Sequence, residues 1–163
     1  MKKITYPIIS IIFLIFINAC AGYKPIYTTN LQFKIANYSI KSNKQLGKEI
    51  YYKLYNFFKP DQDNPEAQSI TITIDTIKSK DATAKDSTGK ILEFRIILNS
   101  NIIIKDYLTD DEILNHNFSY SSIYAVQDLY SETIKLENKS TKDLINKTYQ
   151  DLLIKISQTI QTQ

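Results

Sequence analysis

The chain has no tryptophan, one cysteine, one histidine, one methionine and three glycines in 163 residues. Each scarcity closes off a class of chemistry. A single cysteine cannot form an internal disulfide. Cys20 and His116 alone do not supply the nitrogen and sulfur ligands of a zinc site. Nor do they give a nucleophile, base and orienting group for acyl transfer. Three glycines do not build a phosphate-cradling loop. Arg95 is the only arginine, and 20 basic residues against 17 acidic ones leave a net charge of +3, too weak a field to argue for nucleic acid. The sequence also lacks an apolar run of about 20 residues, the length a spanning helix needs. A hydrolase built from carboxylates alone stays open, although no pair is marked for it.

What is present begins at the N-terminus. Lys2 and Lys3 form a short basic start, and Ile4 to Ile17 are almost all apolar, strongest from Ile11 onward. Asn18, Ala19 and Cys20 end the run. A basic start, a short apolar stretch and a small residue before a cut point describe a secretory signal peptide over residues 1–19. Ile17-Asn18-Ala19-Cys20 resembles the bacterial lipobox. That resemblance implies cleavage before Cys20, a diacylglyceryl thioether on its sulfur and an N-acyl chain, such as palmitate, on its new amine. A thiol left free in an oxidising compartment would be a liability, and acylation removes it. Acyl chains contributing about 0.8 kcal/mol per buried CH₂ make a stable anchor. Ala21 follows the cysteine, as in lipoproteins that Gram-negative bacteria forward to the outer membrane. Loss of Lys2 and Lys3 brings the formal charge from +3 to +1.

Residues 20–32 read as a lipidated N-terminus and linker, and 33–163 as one α+β domain. Phe33, Ile35, Tyr38 and Ile40 alternate with an irregularity between the pairs, giving a first strand. A helix is expected over 43–58, capped by Ser42 or Asn43, with Leu46, Ile50, Leu54 and Phe57 on one face. Residues 61–68 are a polar loop. Ile70, Ile72 and Ile74 alternate with Thr71, Thr73 and Asp75 in a half-buried strand. Residues 78–90 read as a polar connection with a turn at Gly89. Strands follow over 91–104 and 113–124, the latter with Leu114, His116, Phe118 and Tyr120 on one side. From Ser131 the period becomes helical to about Ile160, with Ile145, Tyr149, Leu152, Ile156 and Ile160 on one face and a polar first half open to fraying. The order β-α-β-β-β-α predicts a two-layer α+β sandwich: a four-stranded, mainly antiparallel sheet with two helices on one face.

Several stretches meet a known family. The segment CAGYKPIY (20–27) resembles the Cys-Gly-Phe-Arg-Pro-Leu-Tyr start of the lipopolysaccharide-assembly lipoproteins, the LptE family, in its alphaproteobacterial form. Here an alanine is inserted after the cysteine, and Tyr23 and Lys24 replace Phe and Arg. Residues 82–104 resemble that family's strand pair around a Thr-Gly-Lys turn, and 118–156 its closing strand and long helix. The resemblance implies a non-catalytic outer-membrane lipoprotein. It would plug and help assemble the LptD β-barrel and support delivery of lipopolysaccharide, without a cofactor or metal. A different lipoprotein adaptor, a pilotin or a barrel-assembly subunit, would be anchored alike and is the alternative.

Lys78, Lys80, Lys85 and Lys90 gather around one connection, and a cationic loop there would meet lipopolysaccharide phosphates or a barrel wall. With Asp81 and Asp86 between them, the plain alternative is a solvated loop. Arg95 shares a face with Glu93 and reads as part of a cross-strand salt bridge, with a ligand contact as the alternative. His116, between Leu114 and Phe118, reads as a packed ring.

Overall fold

The computed structural model describes residues 32–161 apart from 62. The signal segment 1–19, Cys20 and the linker up to residue 31 lie outside the described residues. The elements are β1 (Phe33–Ser42), α1 (Lys44–Phe58), a 3-10 turn (Lys59–Asp61), β2 (Gln68–Lys85), β3 (Ile91–Asp106), β4 (Glu112–Ala125) and α2 (Tyr130–Gln161). This is the expected β-α-β-β-β-α order. The sheet runs β1-β2-β3-β4. It is mixed and open: β1 lies parallel to β2, reached through the α1 crossover, and the other pairs are antiparallel.

Local chemistry sets the boundaries of α1. The Asn43 side chain accepts from the Leu46 N–H at 3.1 Å, satisfying one of the helix's orphan donors. The Asn43 N–H donates to the Thr76 carbonyl at 3.0 Å, which ties the helix start to β2. Leu46, Ile50, Leu54 and Phe58 are buried. The sequence pointed to Phe57 for the last position, but the four-residue step from Leu54 lands on Phe58. Its ring meets Phe33 edge-on at 5.6 Å, while Phe57 is half-buried. Gly47 sits where the helix packs directly on Ile40 of β1. A Cβ there would lie 2.5 Å from Ile40 Cγ2.

In β1 the register slips between Ile35 and Asn37. This keeps both Phe33–Ile35 and Tyr38–Ile40 toward the helices. Ile70, Ile72 and Ile74 of β2 join Ile96, Leu98, Ile102 and Ile104 of β3 in the core. Both helices cover this one face. Thr76 and Ser100 are its polar exception, closed off by a 3.3 Å hydroxyl hydrogen bond.

The segment 78–90 differs from the polar connection the sequence suggested. β2 continues to Lys85 and pairs with β3 to its end; only Asp86–Lys90 turn. The alternation of apolar and polar residues fades there because Lys78 and Lys80 take the helix-facing positions and, past Lys80, the strand is mostly exposed on both faces. The backbone ladder needs no apolar side chains and persists. Asp86 builds the turn: its carboxylate accepts from the Thr88 hydroxyl at 2.7 Å, the Thr88 N–H at 2.8 Å and the Lys90 N–H at 3.0 Å. Those donors, the Thr88 hydroxyl foremost, hold its pKa below the usual carboxylate value. Gly89 has φ +87°, a left-handed conformation that suits glycine.

α2 also begins firmly. It starts at Tyr130, one residue before the expected Ser131, and its polar first half is regular helix. Thr133 anchors this end by accepting from the Gln127 N–H at 2.8 Å. Further along, Leu144, Ile145, Leu152, Leu153 and Ile156 enter the core, with Tyr149 and Ile160 packed against it.

Candidate functional site

The four lysines divide into two pairs. Lys78 and Lys80 are two residues apart on the helix-facing side of β2, opposite Leu98 and Ile96. Both reach Glu137 of α2: Lys78 Nζ lies 3.0 Å from Oε1 and Lys80 Nζ 2.6 Å from Oε2. The Tyr124 hydroxyl donates to the same Oε2 at 3.0 Å. The Lys80 ammonium also stands 4.1 Å from the Phe94 ring centroid. The hydrogen bond from Lys80 holds the Glu137 carboxyl at about 2, against the effect of burial, with Lys78 and Tyr124 adding to it. These two lysines tie hairpin to helix. Lys85 and Lys90 flank the turn, both exposed.

Arg95 lies opposite Asp81 on β2 and Ile123 on β4. Among the described residues it makes no ion pair, so the expected cross-strand salt bridge is absent. The His116 ring packs against Phe118 at 4.6 Å between centroids, as its place in the alternation suggested. Among the described residues no group of three His, Cys, Asp or Glu side chains is placed to hold a metal.

Sequence reasoning missed the polar ties along the inner face of β4. The Tyr120 hydroxyl donates to Asp151 of α2 at 2.5 Å. Burial, then the hydrogen bond to Asp151, push the phenol up to about 12. Lys147 stands 4.6 Å from the Tyr120 ring centroid. A signal was available: tyrosines at 120 and 124 alternate onto the core side, where each hydroxyl needs a partner. Which acid of α2 would meet which tyrosine depends on helix placement.

The opposite face of the sheet carries no described element. Its central rows read Thr73–Ile103–Asn115 and Asp75–Asn101–Asn117 across β2, β3 and β4. Asn101 Nδ2 donates to Asn115 at 3.4 Å. Asp75 Oδ1 is shielded from solvent yet has no hydrogen-bond partner among the described residues. Ile77 and Ile123 are about half exposed on the same face. Hydroxyls, amides and scattered isoleucines do not make a second core.

No family model matches the chain, and no curated protein matches its sequence. Solved structures do match in fold. Lipoprotein B of Nitrosomonas europaea superposes with a TM-score of 0.58 at 16% identity, covering 78% of this chain and 84% of that one. A minor lipoprotein of Acinetobacter baumannii gives 0.56 at 12% identity, over 77% and 91%. Rare lipoprotein B of Shewanella oneidensis gives 0.50 at 11% identity, over 77% and 94%. The chain therefore has a fold that lipoproteins of Gram-negative bacteria carry.

Proposed function

We propose that this protein is an outer-membrane lipoprotein, anchored on the periplasmic face through acylated Cys20. It plugs the lumen of an LptD-type β-barrel, helps that barrel assemble and supports lipopolysaccharide delivery to the cell surface. The observation that carries this reading is the join of a lipobox ending at Cys20 to an α+β domain of lipoprotein fold. The sequence resemblance to the LptE family spans nearly the whole of the mature chain. A wide barrel encloses an aqueous channel unless something fills it. A compact sandwich with one polar sheet face suits such a lumen. In this reading the protein binds and supports, and performs no catalysis. Its contact with lipopolysaccharide phosphate falls to Lys85 and Lys90, because Lys78 and Lys80 already serve Glu137.

Affinity purification of the tagged lipoprotein from detergent-solubilised envelopes, read by mass spectrometry, tests the assignment. The expected result is a stoichiometric LptD-type barrel that disappears from the envelope when the lipoprotein is depleted. Recovery of the lipoprotein alone, or with a secretin or another assembly machine, sinks it.

A further inference from the structure

The two edges of the sheet are built differently. β1 carries Lys34 and Lys41 and a register shift between Ile35 and Asn37, devices that discourage pairing with another strand. β4 is 14 residues long and contains no lysine, arginine or proline. Its register shift falls at one end, beside Lys105. The Val126 N–H donates to the Leu92 carbonyl at 2.8 Å, continuing the register in which Glu93 faces Ala125. Antiparallel alternation then turns the peptide groups of Asn115, Asn117, Ser119, Ser121 and Ile123 away from β3. Among the described residues no strand pairs with that edge. Outward donors and acceptors repeating every second residue match the spacing of another extended backbone.

A groove of about 500 Å³ runs beside this edge between β4 and α2, with Phe118, Tyr120, Asp151, Ile154 and Lys155 among its lining. Asp151 is engaged by the Tyr120 hydroxyl, and Lys147 covers the Tyr120 ring. Lys147 and Lys155, one turn to either side of Asp151, leave the rim with more cation than anion. Phe118 belongs to the core, so the groove's apolar contact is half-buried Ile154, and a carboxylate complements Lys155.

We propose that β4 is a docking edge. An extended segment of the outer-membrane partner, carrying an apolar and an acidic residue on one side, adds to the sheet as a fifth strand along residues 115–123. Only the partner's identity rests on the barrel-plug reading; the docking mode rests on the edge itself.

The test places a photo-crosslinking residue at Asn117, Ser119 or Ser121 of the full-length lipoprotein in native envelopes, with Ser39 on β1 as the control edge. Each β4 position is expected to attach to a single segment of one barrel, and the attachment points should step by two residues from position to position. Ser39 should give no adduct with that segment. Ser119→Pro removes one outward N–H and suits an edge strand, so circular dichroism should be unchanged while the adduct from position 121 falls at least about tenfold. Attachment to a second copy, to this chain's own residues 20–31, or to points without a regular step overturns the proposal, as does no attachment at all. A barrel that co-purifies without such adducts removes the docking edge and leaves the plug reading. Stepped adducts to a different outer-membrane protein keep the edge and remove the barrel.

Discussion

Glu137 of α2 receives the Lys80 ammonium of β2 at 2.6 Å, across the gap between helix and hairpin. The carboxyl is held at about 2 against an ordinary 4.5. Its folded pKa is therefore depressed, so its stabilisation is fully present above about 4.5 and is lost as pH falls toward about 2. Both lysines are partly exposed, and solvent screening reduces the pair's worth. Glu137→Gln should cost about 1–2 kcal/mol at pH 7. Urea denaturation of the mature polypeptide, expressed without lipid, should show that gap narrowing between pH 5 and pH 3. A gap unchanged at pH 3 would mean that the ion pairs do not link the helix to the hairpin.

Gly47→Ala sets two effects against each other. Alanine favours a helix interior by about 1 kcal/mol. The new Cβ would meet Ile40 Cγ2 at 2.5 Å and Ile74 Cγ2 at 3.7 Å. Ile40 is β-branched and fixed in a strand, so its methyl has little room to move, and overpacking of this kind costs about 1–3 kcal/mol. Net destabilisation of roughly 1 kcal/mol is expected. Adding Ile40→Ala should recover part of the loss, giving a non-additive double-mutant cycle. Simple additivity would show that the helix shifts outward instead.

The sandwich was legible because its buried positions keep strict time. Ile70, Ile72 and Ile74, then Leu46, Ile50 and Leu54, mark strand and helix by period alone, and the slip in β1 shows as a break in that rhythm. Hairpin 78–90 was not legible, since lysines take the helix-facing positions at its start and a ladder mostly wet on both faces beyond Lys80 leaves no pattern in its side chains. The Lys80–Glu137 contact spans 57 positions and depends on how α2 lies over β2, which no local spacing encodes. Lysines that read as one cationic cluster therefore proved to be two pairs with different surroundings.

Tyr120 and Asp151 form a second tie, at 2.5 Å. Tyr120→Phe keeps the ring in the groove but leaves the half-buried carboxylate without its hydroxyl donor. The expected cost is about 1–2 kcal/mol. The phenol's folded pKa of about 12 lies above its ordinary 10. Its contribution is thus present below pH 10 and is lost as pH rises toward about 12. Difference absorbance of tyrosinate, wild type against Tyr120→Phe, should show this one ring ionising only near pH 12. Ionisation near pH 10 would show that the hydroxyl is not engaged.

The lysine pairs can be separated by asking each for stability and for ligand. Lys85 and Lys90 sit at the exposed turn beyond the helices, so Lys85→Gln with Lys90→Gln should change stability by less than about 0.5 kcal/mol. If the turn meets lipopolysaccharide phosphate, losing two point charges should weaken binding to lipid A–containing vesicles severalfold, most visibly at low salt. Lys78→Gln with Lys80→Gln should do the reverse, lowering the melting temperature because Glu137 keeps its partly buried charge and loses both cations. Binding by the folded fraction should hardly change. Vesicle binding that follows Lys78 and Lys80 instead would place the phosphate contact between β2 and α2. Glu137 would then be a competitor for the lysines, and acid that protonates it should strengthen binding.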